Sequence, residues 1–369
     1  MTLITTATEL PRLMVCIGSR LMPAMLPADS NREARDEGNA AHWLAEQLFK
    51  GVPVASGAVA FNGYIITDEM IEHVRGYASA LNCGELECDT SYSGENWEVR
   101  GRADHLVYEP AGVAPPLSVI QPYSTLTIDD FKYGWRLVSP ERNFTLLSHA
   151  IGWCQRPGNP TPDHIVLRIH QPRPYHPDGP LREWSCSYSD LIGYYKQIQA
   201  RLAYPDATLT TSLEQCAKCH ALAGCPAART AGMNAIDASM LAFSDNLPKD
   251  VLTHELETLR QASVMIENRR DALEELISHR ISSGDVFNGY VLERRYGHAR
   301  FKPGLTGKML SIAAGVDLTK DGTVTPAEAK RRGVNEAAIA ALTERPLLPS
   351  KLKAVDVDSR ARRIFGDGR

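Results

Sequence analysis

Four cysteines far apart in the chain constrain it more than any other feature. Cys16 stands near the N-terminus. Cys216, Cys219 and Cys225 follow together in the run Cys-Ala-Lys-Cys-His-Ala-Leu-Ala-Gly-Cys-Pro. Thiols at these spacings hold a structural zinc or an iron–sulfur cluster. A site using all four would close a loop of about 200 residues and oblige both ends of the intervening fold to meet. Spacing alone favours zinc, with Cys16 or His220 open as the fourth ligand. Cys83, Cys88, Cys154 and Cys186 have no ligand-like spacing and read as packing residues.

At 369 residues, 43% hydrophobic and 23% charged, the chain has the composition of a soluble globular protein with one large domain or two ordinary ones. No apolar run reaches the roughly 18 residues that cross a bilayer. The start, Met-Thr-Leu-Ile-Thr-Thr, lacks the plan of a signal peptide. The expected setting is a reducing cytoplasm with no membrane partner, where eight cysteines are ligands and core residues rather than disulfides. The net charge of −4 is uneven: residues 285–369 hold 16 Lys/Arg against 10 Asp/Glu. A basic tail on an acidic body is compatible with contact to a phosphate backbone, with Arg294, Arg295, Arg300 and Lys302 as candidates, and equally with a solvated surface.

Residues 31–50 carry Ala34, Ala41, Leu44, Ala45 and Leu48 as an apolar stripe, which predicts a helix. A second helix is expected over 68–81, N-capped by Thr67. Stretches 85–92, 97–108 and 117–133 read as strands of an antiparallel meander. Residues 143–154 read as a helix, 163–171 as a strand and 189–202 as a helix. The alternation predicts an α/β fold, a mixed sheet with helices on its faces. Residues 250–281 form one long helix pattern, with Leu252, Leu256, Leu259, Ile266, Leu273 and Ile277 near heptad spacing, expected to pack on the body rather than dimerise. Residues 286–301 read as a hairpin or paired strands, and short helices follow.

In Leu126-Thr-Ile-Asp-Asp-Phe-Lys132 a strand puts Asp130 and Lys132 on one face and Asp129 on the other. Asp130 can then bind a hard cation while Lys132 orients a water or stabilises a pentavalent phosphate. Gly101-Arg-Ala-Asp104 lies on the preceding strand, where pairing would bring Asp104 beside Asp130. His42 on the first helix could join them, with Mg²⁺ or Mn²⁺ as the fitting cation.

The order of these features resembles the RecB-like branch of the PD-(D/E)XK nucleases, and within it a phage and prophage family of iron–sulfur proteins. Cys16-Ile-Gly-Ser19, Glu37-Gly-Asn-Ala-Ala-His42, Gly101-Arg-Ala-Asp104, Ile128-Asp-Asp-Phe-Lys-Tyr-Gly134, Asn143-Phe-Thr-Leu-Leu-Ser-His-Ala150 and the cysteine triplet carry the resemblance. It implies metal ligands at His42, Asp104, Asp130 and the Phe131 carbonyl, with Lys132 catalytic beside Asp104 and Asp130. It also implies a [4Fe–4S] cluster on Cys16, Cys216, Cys219 and Cys225, with zinc as the alternative. The family's helix after the Asp-x-Lys strand carries Gln and, four residues on, Tyr near DNA. Here those positions are Thr145 and His149, so the spacing survives and the chemistry differs.

The expected organisation is a restriction-endonuclease-like core over 1–230, stapled by the cysteine site, and a helical, basic extension over 231–369. The expected activity is metal-dependent hydrolysis of DNA, as an exonuclease in phage DNA processing or recombination, in the host cytoplasm. DNA and a phage recombination or single-strand-annealing protein are the implied partners. The alternative is a DNA-binding module that keeps fold and cluster without catalysis. Asp317, Asp321, Gly322, Val324 and Glu328 approach an EF-hand loop, with Thr319 at its third position. An Asp-Gly turn followed by a helix from Pro326 is the simpler reading there, with calcium the alternative.

Overall fold

The computed structural model of the chain describes residues 2–25, 32–81, 84–112, 122–203, 206–239, 248–296, 299–302, 307–319 and 325–354. It divides into two compact units, Met1–Arg270 and Asp271–Arg369.

The first unit opens with β1 (Leu3–Thr6), α1 (Leu10–Val15), α2 (Arg32–Phe49) and α3 (Asp68–Ala80). The helix α3 starts where expected, since Thr67 Oγ1 accepts from Met70 N at 3.1 Å. Strands β2 (Glu85–Asp89), β3 (Tyr92–Ser93), β4 (Trp97–Arg100), β5 (Arg102–Glu109) and β6 (Thr125–Phe131) follow. Then come α4 (Phe144–Cys154), β7 (His164–His170), β8 (Leu181–Ser187) and α5 (Tyr188–Ala203).

The central sheet has the order β2-β5-β6-β7-β8. Its β6–β7 pair is parallel and the other three pairs are antiparallel, so the sheet is mixed. Only the 85–89, 102–109 and 125–131 pieces form the expected meander. The expected strands break around 90–101, and β3 and β4 instead join β1 in a second sheet, where β1 and β4 run parallel. The crossover α4 links the two parallel strands, as such a connection requires. Leu106, Leu126, Ile128, Leu167 and Ile169 bury one sheet face against α1, α4 and α5. Phe131 and Tyr133 join Leu44, Met70, Val74 and Tyr77 beneath α2 and α3 on the other face. The unit is thus a mixed α/β fold with helices on both faces.

After the sheet come α6 (Leu213–Cys216), α7 (Pro226–Ser239) and α8 (Lys249–Ser282), the last of which crosses the boundary at Arg270. The long helix α8 matches the expected span, but its apolar stripe stays open, with Leu252 50%, Leu256 51% and Leu259 42% exposed. Its contacts to the cysteine segment are polar: Arg269 donates to the Leu222 and Cys225 carbonyls, each at 3.0 Å.

In the second unit β9 (Tyr290–Tyr296) does not pair within 286–301. It pairs with β12 (Leu347–Ala354), while β10 (Arg300–Phe301) pairs with β11 (Thr343–Glu344). Long-range pairing of residues near position 350 is invisible to local pattern. Helices α9 (Gly307–Ala314), α10 (Pro326–Arg331) and α11 (Glu336–Leu342) surround Leu310, Leu318, Ala329 and Val334. Thr325 caps α10, accepting from Glu328 N at 3.3 Å. Asp321, Gly322 and Val324 of the EF-hand-like run lie outside the described residues. Among the described residues no helix is long and apolar enough to cross a membrane.

Candidate functional site

The strand registers converge the chemistry. His105 opposes Asp129 in the β5–β6 pair, so Asp104 and Asp130 come out on the same face one step later. His42 projects from α2 and Lys132 follows β6 directly. All four line one cavity of about 1000 Å³. His42 Nδ1 stands 3.4 Å from Asp104 Oδ2, which also accepts from Phe131 N at 2.8 Å. Lys132 Nζ donates to Asp130 Oδ1 at 2.9 Å and lies 2.8 Å from Oδ2, the latter without hydrogen-bond geometry.

Burial raises the Asp130 carboxyl, the Asp104 charge adds to this, and Lys132 opposes it. Burial alone would depress Lys132, but Asp130 and Asp104 outweigh it and hold the ammonium above its ordinary value. The side chain of Phe131 turns away, stacked on Tyr77 with ring centroids 4.6 Å apart.

Thr145 and His149 line the same cavity from α4. His149 is buried, and its Nδ1 is 2.7 Å from Thr90 Oγ1. Burial lowers its pKa to about 4, so the ring is neutral near pH 7. Gly101 keeps this corner open, because a Cβ there would come 2.7 Å from Thr90 Oγ1 and 3.1 Å from His149 Nδ1. Sequence reasoning missed Glu87, which lines the cavity from a residue at φ +48, between positions paired to His105 and Ala103. Burial and the Asp104 charge raise its pKa. Nothing in the pattern of β2 marked it.

The four predicted cysteine ligands line a separate small cavity, of about 20 Å³, together with Arg12. Cys16 Sγ accepts from Thr210 N and Cys216 Sγ from Ser212 N, both at 3.3 Å. Burial raises the Cys216 and Cys219 thiols, and the neighbouring cysteine charges add to it. His220 turns to Arg12 instead, Nδ1 to Nη1 at 3.2 Å. Among the described residues no three His, Cys, Asp or Glu side chains are closed into a metal-holding set. Cys88 is buried, and Cys154 and Cys186 pack against the same core; Cys83 lies outside the described residues.

The sequence family described as "Protein of unknown function (DUF2800)" matches residues 6–300, which include both cavities. The chain belongs to the DUF2800 family. No curated protein matches it. A solved structure described as "Crystal structure of SSO0001" is similar over 62% of this chain and 88% of that one, at 13% identity and a TM-score of 0.28.

The DUF2800 match stops close to the basic candidates of the second unit. Arg294 is exposed on β9, and Arg295 and Arg300 sit in β9 and β10. Lys302 is not a free cation, since its Nζ donates to the Ala341 carbonyl at 2.8 Å.

Proposed function

We propose that the first unit is a divalent-metal-dependent DNA nuclease of the RecB-like PD-(D/E)XK type. One observation carries this reading: Asp104 and Asp130 stand on neighbouring strands with His42 and the Asp130-paired Lys132 around one cavity. The succession of an antiparallel triple, a helix and a parallel strand supports it.

The donor set suits Mg²⁺ or Mn²⁺. Two carboxylates and one imidazole are hard or borderline ligands, and Asp130 Oδ2 is a buried oxygen beside the Lys132 ammonium at 2.8 Å, without hydrogen-bond geometry. His42, Asp104, Asp130 and the Phe131 carbonyl would hold the cation. When bound, it would activate a water and neutralise charge on the phosphodiester. Lys132 then donates to a phosphate oxygen and stabilises the charge that develops there, which suits an ammonium held protonated. The backbone N–H of Phe131 fixes the Asp104 carboxylate, so its orientation is set before substrate arrives.

The cysteine cavity fits a thiolate-held group by its chemistry. Four sulfurs share it, and two already accept backbone N–H bonds that would stabilise thiolates. A [4Fe–4S] cluster, or zinc, would staple residue 16 to residues 216–225. A second reading, a DNA-binding module without catalysis, is favoured by His149, which is neutral and committed to Thr90.

Cleavage of labelled linear DNA with Mg²⁺ and then Mn²⁺ tests the proposal. Asp130→Asn and Lys132→Ala should each lose on the order of 10² to 10⁴ in rate, while Lys132→Ala still binds Mn²⁺. Wild-type protein that binds DNA but cuts nothing with either ion would establish the binding-module reading.

A further inference from the structure

Two hollows meet at Asp130 and Lys132. One is the cavity of about 1000 Å³ described above, and the other holds about 530 Å³. Thr8, Asp130, Lys132 and Thr145 line both. In the first hollow the carboxylates Glu46, Glu87, Asp89 and Asp104 outnumber the guanidiniums of Arg100 and Arg102. The second sets Arg142, Arg182 and Lys218 beside Lys132, against the carboxylates Glu141 and Glu214, so cations outnumber carboxylates there.

Arg182 is the unusual member. It sits on β8 opposite Ile169 and is only 7% exposed. Its Nη2 donates to Gln171 Oε1 at 2.6 Å, but its buried Nε has no hydrogen-bond partner. Among the described residues no carboxylate forms an ion pair with it. Gln171 is itself pinned, its Nε2 donating to the Gly134 and Arg136 carbonyls at 2.8 and 2.7 Å. The guanidinium is therefore held in a fixed pose at the cavity wall, with no carboxylate in contact and Asp178 acting on it only from a longer distance. Burying a charge unpaired is costly, and a bound anion would remove that cost. The guanidinium N–H groups not committed to Gln171 can donate to a phosphate oxygen. Lys218 approaches from the cysteine loop and is only loosely paired, its Nζ 3.7 Å from Glu214 Oε1.

We propose that the second hollow holds a backbone phosphate of a DNA strand adjacent to the phosphate at Lys132. Arg182 is its buried anchor and Lys218 its outer contact. The inference rests on the nuclease reading and adds a direction to it: the strand runs from the carboxylate-rich hollow, across Lys132, into the cationic one.

The test is fluorescence anisotropy of a labelled single-stranded oligonucleotide in EDTA, over a salt series, with the full chain carrying Arg182→Gln or Lys218→Ala. Each variant should bind about tenfold more weakly at low salt and lower the salt slope by about 0.7 to 1. Thermal melting reports whether each variant folds, and if Arg182→Gln does not, Lys218→Ala decides alone. Wild type that binds and cuts, beside folded variants with unchanged affinity and slope, overturns the phosphate hollow and leaves the nuclease reading standing. Wild type that neither binds nor cuts overturns both.

Discussion

Asp129 and Asp130 are consecutive in the chain, yet their carboxylates work on opposite faces of the central sheet. Asp130 faces Lys132 in the cavity. Asp129 accepts from His105 Nδ1 and His170 Nε2, each at 2.9 Å, beneath α2 and α3. Burial would raise the Asp129 carboxyl, but the two imidazole donors win and pull it down to about 2. The strand alternation predicts that Asp129 stands apart from the cavity that Asp104 and Asp130 line. It does not reveal that Asp129 is a buried bridge across β5, β6 and β7.

Asp129→Asn is therefore expected to be silent in cleavage per folded molecule but not in stability. An amide turns a donor toward one imidazole N–H, costing about 2–3 kcal/mol. Asp130→Asn should do the reverse, losing cleavage with little change in melting, because Lys132 is a third exposed and can turn to water. Denaturant unfolding of both variants checks this. Wild-type stability for Asp129→Asn would show that the bridge contributes nothing.

Asp163 ties the start of β7 to the start of β6. Its Oδ2 accepts from Ser124 N at 2.8 Å and Ser124 Oγ at 2.7 Å. The backbone bond first, then the hydroxyl, hold its carboxyl below the ordinary value. The stability it contributes is present above the unfolded carboxylate pKa of about 4 and lost as pH falls through the lower folded value. Melting temperatures of wild type and Asp163→Asn should converge as pH drops below about 4. A constant gap across that window would contradict the assignment.

Gly101→Ala should crowd Thr90 and His149, since the added Cβ meets Thr90 Oγ1 at 2.7 Å. The expected cost is about 1–3 kcal/mol. Thr90→Ala removes the offending oxygen, so the double variant should lose less stability than the two single losses summed. Strict additivity in a double-mutant cycle would show that the crowding is relieved elsewhere.

The cysteine cavity makes a prediction visible to the eye. Protein purified without oxygen should absorb broadly near ~400 nm and carry about four irons. Cys16→Ser and Cys216→Ser should lose both, whereas Cys154→Ser, a core thiol, should keep them. Colourless protein holding about one zinc would favour the other metal.

The sequence by itself determined the local units. The helical stripe of α2, the Thr67 cap of α3, the alternation that separates Asp129 from Asp130, and the span of α8 all follow from spacing, because each depends on neighbours a few residues away. The grouping of Cys216, Cys219 and Cys225 is equally local. Strand β8 was not legible, since its inward row begins with Arg182, a charge where pattern expects an apolar residue. Tertiary structure alone decided which distant residues meet: Glu87 beside Asp104, Lys218 across from Lys132, β9 with β12, and Cys16 in one cavity with the late cysteines. These meetings are set by sheet register and helix packing, which sum weak preferences over the whole chain. No short window carries that sum.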